Sequence, residues 1–170
     1  RGQHKAAGAK VKTPRSPRPC PRLQSRGSAI MTAVATRRSR HNLPAPLTSF
    51  IGREQAVVAV QRQLATSRLV TLTGTGGCGK TRLAVAVAAG LLDRLRDGVR
   101  FVDLTPMQSP QLVPYAVAAA LGLHERGGES LLDSLVDHLR ARELLLVLDN
   151  CEHVIETAAS LAERVLSGCP

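Results

Sequence analysis

A glycine-rich segment at residues 74–81 constrains the fold of this chain more than any other feature. It reads Gly-Thr-Gly-Gly-Cys-Gly-Lys-Thr and matches the pattern G-x-x-x-x-G-K-[ST] of a phosphate-binding P-loop. The apolar run Leu69–Leu72 before it predicts a strand over 69–73, and the aliphatic stretch after it predicts a helix from Lys80 to about Leu95. Strand, glycine loop and helix in this order are the context that a P-loop requires.

The residue types of this segment suit a nucleoside triphosphate bound with Mg²⁺. Glycines let the backbone curl so that several N–H groups meet the phosphate oxygens, and the start of the following helix adds its favourable dipole. Lys80 would reach the β- and γ-phosphates, and the Thr81 hydroxyl would bind Mg²⁺. The alternative is a glycine-rich turn that carries a lysine by chance. The predicted phosphate-binding residues are Gly74, Thr75, Gly76, Gly77, Cys78, Gly79, Lys80, Thr81 and Arg82.

Charge divides the chain into two parts. Residues 1–53 hold 12 Lys or Arg and no acidic residue, whereas residues 54–170 hold 11 Lys or Arg and 13 acidic residues. Residues 1–41 are rich in proline, serine and glycine and have no apolar period, which predicts a disordered basic N-terminal extension. A non-specific nucleic-acid-binding arm is the alternative, although this segment has no aromatic side chains for base stacking. Residues 42–170 are the predicted folded domain.

Helices and strands alternate along this domain. Beyond the segment around the glycine loop, helices are predicted over 55–66, 110–121, 130–141 and 154–166, and strands over 99–105 and 144–148. This alternation predicts an α/β fold: a parallel sheet with flanking helices and a ligand at the carboxyl ends of the strands. The chain contains two Phe, one Tyr and no Trp, so the core is predicted to be aliphatic.

The third predicted strand ends in a second candidate motif. Leu144–Leu148 followed by Asp149 fits the Walker B pattern, in which a strand holds a carboxylate that orients Mg²⁺ beside the P-loop threonine. Thr81 and Asp149 are therefore the predicted metal ligands. Asn150 cannot act as a base, and Glu152 is the nearest alternative carboxylate, although the helix dipole alone would favour an acid there. Slow ATP hydrolysis is the resulting hypothesis. The candidate catalytic residues are Lys80, Asp149 and Glu152.

Three segments together resemble the NB-ARC-like ATPase module of STAND regulators. They are Asn42–Glu54, which contains Phe-Ile-Gly-Arg-Glu, then Gly74–Ala84, and then Leu144–Val154. Their order and content are similar to those of large bacterial transcriptional regulators of the LuxR and antibiotic-regulatory-protein types. The resemblance covers roughly residues 42–170 and implies a partial, AAA-like P-loop ATPase domain.

The resemblance implies an ATP/ADP switch with Mg²⁺ as cofactor. In that family the Phe-Ile-Gly-Arg-Glu segment lines the adenine pocket, so Ile51 and Arg53 would flank the base. The family alternates between a closed ADP state and an open or oligomeric ATP state, which implies self-association of the full-length protein when ATP is bound.

The resemblance also implies that the chain is truncated. Family members continue into a strand with a γ-phosphate sensor, a winged-helix region and a DNA-binding output domain, so DNA contact is expected only through a region absent here. The sheet should then lack a central strand, and the isolated chain should be poorly stable. The longest apolar run, Leu83–Leu92, is too short to span a membrane, so a cytoplasmic protein is expected.

Two other classes of P-loop protein are alternatives. A GTPase would need the guanine-binding motif N-K-x-D, which the sequence lacks. A small-molecule kinase stays open as an alternative, although the Phe-Ile-Gly-Arg-Glu segment argues against it.

Overall fold

Helices and strands alternate in the computed structural model, which describes residues 40–45, 52–124 and 130–170. The predicted extension at 1–41 lies outside these residues except for Arg40 and His41, and Ile51 also lies outside them. In chain order the elements are α1 (Glu54–Leu64), α2 (Lys80–Ala89), β1 (Gly98–Asp103), a 3₁₀ turn (Pro110–Leu112), α3 (Val113–Leu121), α4 (Leu131–Arg140), β2 (Leu144–Asp149) and α5 (Ile155–Gly168).

The two strands form a parallel ladder that begins and ends in register. Gly98 pairs with Leu144 at one end, and Asp103 pairs with Asp149 at the other. The predicted α/β class with parallel strands and flanking helices is confirmed. Parallel pairing follows from the crossover through α3 and α4, which returns the chain to the same end of the sheet before β2 starts.

The segment at residues 40–42 covers the outer edge of β1. The Arg40 carbonyl accepts a hydrogen bond from the Val99 N–H at 2.9 Å. The Asn42 side-chain amide donates to the Phe101 carbonyl at 2.8 Å and accepts from the Phe101 N–H at 2.7 Å. β1 therefore has hydrogen-bonding partners on both sides.

The prediction of a first strand over residues 69–73 is wrong. Within the described residues this segment forms no ladder with β1 or β2. Leu69 is 57% exposed, and Thr71 and Thr73 are exposed as well. A strand needs a neighbour that takes its N–H and C=O groups, and the described part of the chain supplies none here.

The helix after the glycine loop is shorter than predicted. α2 ends at Ala89, and the chain turns from Gly90 onward instead of continuing to Leu95. Glycine lowers helix propensity by about 1 kcal/mol relative to alanine, which favours an end at this position.

The core is aliphatic, as the composition predicts. Helices α3, α4 and α5 enclose it together with one face of the sheet, to which β2 contributes Leu144, Leu146 and Leu148. α2 packs against β2. The largest fully buried side chains are Leu104, Leu135, Val99, Val113 and Val117. None of the described helices has the length and apolar character needed to cross a bilayer.

One carboxylate ties together the starts of the two strands. Asp97 precedes β1, and its side chain accepts a hydrogen bond from the Glu143 N–H at 2.9 Å, just before β2. The Asp97 N–H donates in turn to the Glu143 carbonyl, also at 2.9 Å. The Glu143 hydrogen bond is the main reason why the pKa of Asp97 lies below its usual range, and Arg96 and Arg142 add to the effect. These contacts fix the register from its first residue.

Truncating Leu135 is expected to destabilise the fold strongly. Leu135 is fully buried on α4, so Leu135→Ala leaves a cavity and should lower the free energy of unfolding by about 2–5 kcal/mol. Leu112→Ala is the matched control, because Leu112 is 44% exposed and its truncation should change stability by only about 0.5 kcal/mol. Chemical denaturation of the chain measures both, and equal effects would contradict the described core.

Candidate functional site

The glycine loop, residues 74–81, leads directly into α2. Its backbone has positive φ at Gly77 (74°) and at Gly79 (85°), and Gly79 is the N-cap of α2. Residues with a Cβ rarely adopt this conformation, which explains the glycines at these positions. Residues 74–77 are exposed, and the residues from Cys78 to Thr81, where α2 starts, are half-buried. The loop therefore leads into a helix N-terminus, a kind of position that favours negatively charged ligands.

α2 and β2 bring the two predicted metal ligands together. The Thr81 hydroxyl donates to Asp149 Oδ2 at 2.7 Å, although 68 positions separate the two residues. Hydroxyl and carboxylate oxygens are the hard ligands that Mg²⁺ prefers, so this donor set fits that ion. No group of three or more His, Cys, Asp and Glu side chains in residues 40–45, 52–124 and 130–170 could hold a metal by itself. Mg²⁺ at this point would also need oxygens from water or from a bound ligand.

Lys80 lies against the carbonyl oxygens of the glycine loop. Its Nζ donates to the Gly74 carbonyl at 2.9 Å and to the Thr75 carbonyl at 3.3 Å. Glu152 Oε1 lies 3.8 Å from the same nitrogen, and the Glu152 side chain is 68% exposed. An exposed ion pair contributes little free energy, so this contact can exchange readily. The structure thus brings the candidate catalytic residues Lys80 and Glu152 side by side.

Arg53 contacts the backbone of the glycine loop. It is the N-cap of α1, and its Nη1 donates to the Cys78 carbonyl at 2.7 Å. The guanidinium therefore links the segment before α1 to the loop. Sequence reasoning assigned Arg53 to the base and gave no indication of this backbone contact.

Two polar residues at the end of β1 were missed by the sequence analysis. Asp103 Oδ1 accepts from the Thr105 hydroxyl at 2.6 Å and from the Thr105 N–H at 2.9 Å. These hydrogen bonds, followed by one from the Asn150 amide, hold the pKa of Asp103 below its usual range. One signal was available, since Asp103 lies in a predicted strand and the carboxyl ends of parallel strands share one edge of the sheet.

Asn150 joins this cluster to Asp149. Its Nδ2 donates to Thr105 Oγ1 at 2.8 Å and to Asp103 Oδ1 at 3.1 Å, and lies 3.4 Å from Asp149 Oδ2. Among the described residues other than glycine, Asn150 alone has a positive φ, of 58°. The polar groups at the ends of β1 and β2 therefore form one connected network that reaches Thr81.

A thiol lies just behind this network. Burial raises the pKa of Cys151, and the negative charges of Glu152 and Asp149 add to the effect. The Cys151 Sγ–H donates to the Leu148 carbonyl at 3.6 Å. Cys151 is thus a neutral packing residue at neutral pH.

Two shallow clefts lie away from the glycine loop. One of about 230 Å³ is lined by residues of α4 and α5, including Asp133 and Arg164. The other, of about 180 Å³, lies near the starts of the strands and is lined by residues such as Arg96 and Arg142. Neither cleft is lined by a predicted site residue.

A family model described as Novel STAND NTPase 1 matches residues 45–166, which include the glycine loop and both strands. The chain belongs to the novel STAND NTPase 1 family. The predicted STAND membership is confirmed at this level, and the family is one of nucleoside triphosphatases.

Relatives of this STAND chain include proteins named as regulators. A Mycobacterium tuberculosis (strain H37Rv) protein, named as an HTH-type transcriptional regulator, is 48% identical over 107 residues, which are 63% of this chain and 12% of the relative. Regulatory protein AfsR of Streptomyces griseus is 32% identical over 121 residues, covering 64% of this chain and 12% of AfsR.

A further relative matches over more of its own length. It is an uncharacterised protein of Mycobacterium tuberculosis, 37% identical over 131 residues, which are 77% of this chain and 33% of the relative. The STAND chain therefore spans only about one eighth to one third of the length of these relatives. No solved structure matches it significantly.

Replacing Arg53 is expected to weaken the binding of phosphate ligands, whether or not the ligand carries an adenine base. Because the guanidinium supports the loop at the Cys78 carbonyl, Arg53→Gln should raise the Kd for ADP and for inorganic tripolyphosphate by a similar factor, roughly threefold to tenfold. Calorimetric titration measures both, and Arg62→Gln in the exposed last turn of α1 is the control. A loss seen only with ADP would show that Arg53 acts on the base alone.

Proposed function

We propose that this chain is the nucleotide-binding core of an ATP/ADP switch within a larger transcriptional regulator. The observation that carries the proposal is the 2.7 Å hydrogen bond between Thr81 and Asp149. In P-loop NTPases a threonine at this position and an acid at the end of a strand are the groups that hold Mg²⁺. The match to a STAND NTPase family supports the same conclusion.

Each group of the site has a proposed role. The backbone N–H groups of the glycine loop and the start of α2 hold the phosphates, with Arg82 beside them. Lys80 leaves the Gly74 and Thr75 carbonyls and binds the β- and γ-phosphates. Thr81 and Asp149 hold Mg²⁺, which neutralises phosphate charge when bound.

The nucleotide is proposed to be an adenine nucleotide. This choice rests on the Phe-Ile-Gly-Arg-Glu segment, which lines the adenine pocket in NB-ARC-like modules. By that resemblance, Ile51 and Arg53 of this chain flank the base. The contact of Arg53 with the Cys78 carbonyl supports a place for Arg53 beside the nucleotide, since it brings the residue to the glycine loop.

Regulation of transcription is the proposed output. The names of the relatives, an HTH-type transcriptional regulator and the regulatory protein AfsR, support this output and a LuxR-like or AfsR-like architecture. Because the chain spans 12% of each of these relatives, DNA binding is assigned to other regions of the whole protein. We further propose a cytoplasmic location and self-association in the ATP state.

Slow hydrolysis fits a switch of this kind. Asn150 directly follows Asp149 and cannot accept a proton as a base, and its amide already bonds to Thr105 and Asp103. Glu152 is the carboxylate close to Lys80, at 3.8 Å, and is the proposed group that assists water attack.

Removing the lysine of the glycine loop is expected to weaken nucleotide binding strongly. Lys80→Ala deletes charge-assisted hydrogen bonds to phosphate worth about 1.5–3 kcal/mol, so the Kd for ADP and ATP should rise roughly tenfold to a hundredfold. Calorimetric titration of the chain with Mg²⁺ present measures this change. Arg62→Ala removes one positive charge from an exposed position of α1 and should leave both Kd values unchanged. Equal affinity in Lys80→Ala and the unaltered chain would remove the phosphate-site proposal.

Steady-state ATP turnover is expected to be slow. The rate should lie below about 1 s⁻¹, at the lower end of the ordinary range for enzymes. Glu152→Gln should lower it further while ATP binding is retained, because the substitution removes the only proposed base. Phosphate-release assays measure turnover, and several turnovers per second in the unaltered chain would contradict the switch proposal.

A further inference from the structure

The parallel register of β1 and β2 places two carboxylates side by side. Asp103 and Asp149 are the last pair of the ladder, and both strands end there. Like charges at directly paired positions repel each other. The pair therefore needs hydrogen-bond donors that satisfy both carboxylates and keep each in one orientation.

Thr81 and Thr105 provide some of these hydrogen-bond donors. Thr81 donates to Asp149 Oδ2 at 2.7 Å, and Thr105 donates to Asp103 Oδ1 through its hydroxyl at 2.6 Å. These two donors act on one carboxylate each. They do not connect Asp103 with Asp149.

Asn150 is the group that connects them. Its Nδ2 lies 3.1 Å from Asp103 Oδ1, 2.8 Å from Thr105 Oγ1 and 3.4 Å from Asp149 Oδ2. The Thr105 hydroxyl gives its own hydrogen to Asp103, so it is an acceptor for the amide. Three acceptors around one NH₂ group fix the amide orientation, since the flipped amide would turn its oxygen toward two carboxylates.

The backbone of Asn150 is shaped for this position. Its φ of 58° lies in the left-handed region, which asparagine tolerates better than other residues with a Cβ. The turn directs the side chain back across the ends of both strands instead of along the path to α5. Local strain at a polar junction of this kind is typical of functional positions.

We propose that Asn150 is a positioning residue that holds the Asp149 carboxylate in place for Mg²⁺ and couples it to the end of β1. This inference rests on the proposed nucleotide-binding function. Without the amide, Asp103 and Asp149 repel each other without a shared donor, and among the described residues only Thr81 then donates to the Asp149 carboxylate. Mg²⁺ then strengthens nucleotide binding less than in the unaltered chain. The contacts of the glycine loop with phosphate stay unchanged.

The test compares ATP binding with Mg²⁺ and with EDTA. The measured quantity is the Kd for ATP in EDTA divided by the Kd for ATP with Mg²⁺, obtained by calorimetry on the full chain. Asn150→Gly removes the amide but keeps a residue that accepts positive φ. The ratio in this variant should fall roughly tenfold, as is typical when a partner of a metal ligand is lost. The Kd for ATP in EDTA should stay unchanged, because the substitution leaves the glycine loop intact.

Asn42→Gly is the matched control. It deletes the other asparagine amide that bonds to β1, at the Phe101 backbone and away from Asp149. This variant should lower the melting temperature but leave the ratio of Kd values unchanged. Asp103→Asn is a second variant in the network. It keeps the side-chain shape, removes the charge that Asn150 binds, and should also lower the ratio.

The outcomes separate the two proposals. If the unaltered chain binds ATP no better with Mg²⁺ than with EDTA, the proposed function fails. If Mg²⁺ strengthens binding equally in the unaltered chain, Asn150→Gly and Asp103→Asn, the nucleotide site stands and the positioning role is overturned. Equal losses with Mg²⁺ and with EDTA, together with a lower melting temperature, would show that Asn150 is only structural. If Asn150→Gly does not fold, the ratio in Asp103→Asn decides alone.

Discussion

The register of the β1–β2 ladder determines where the polar groups at the ends of the two strands lie. At its start, Asp97 and the Glu143 backbone exchange hydrogen bonds, which sets Gly98 opposite Leu144. The two strands end together at the sixth pair, Asp103 with Asp149. A slip of one residue would move Asp149 to the other face of the sheet, away from Thr81. The chemistry at one end of the strands thus depends on an electrostatic contact at the other.

The sequence predicts elements well where an apolar pattern also has a partner to pack against. Leu144–Leu148 and Ser130–Ala141 show this, since β2 and α4 lie within one residue of the predicted bounds. Leu69–Leu72 carries a similar apolar signal, yet residues 69–73 are not a strand. An apolar run reports a tendency toward burial, whereas a strand also requires a neighbouring backbone. The pattern of one segment contains no information about that neighbour.

The same limit applies to the site. The proximity of Thr81 and Asp149 could be predicted, because two motif positions and the rule that ligands lie at the carboxyl ends of parallel strands were enough. The same rule indicates that Asp103 lies at this edge, but the hydrogen bonds of Asn150 with Asp103 and Thr105 could not be predicted. They depend on a positive φ at Asn150 and on side chains 45 and 47 positions away, and neither follows from local sequence. The contact of Arg53 with the Cys78 carbonyl is of the same kind.

Hydrogen bonds join most groups of the proposed phosphate site to one another. Arg53 donates to the Cys78 carbonyl and Thr81 donates to Asp149, so few of these groups would have to reorganise to bind a ligand. Lys80 is the exception, because it is bound to two loop carbonyls and lies near Glu152. Bonds from an ammonium group to neutral carbonyls are weaker than bonds to phosphate, and an exposed ion pair adds little. In the proposed function, the exchange of Lys80 from carbonyl to phosphate would therefore favour binding.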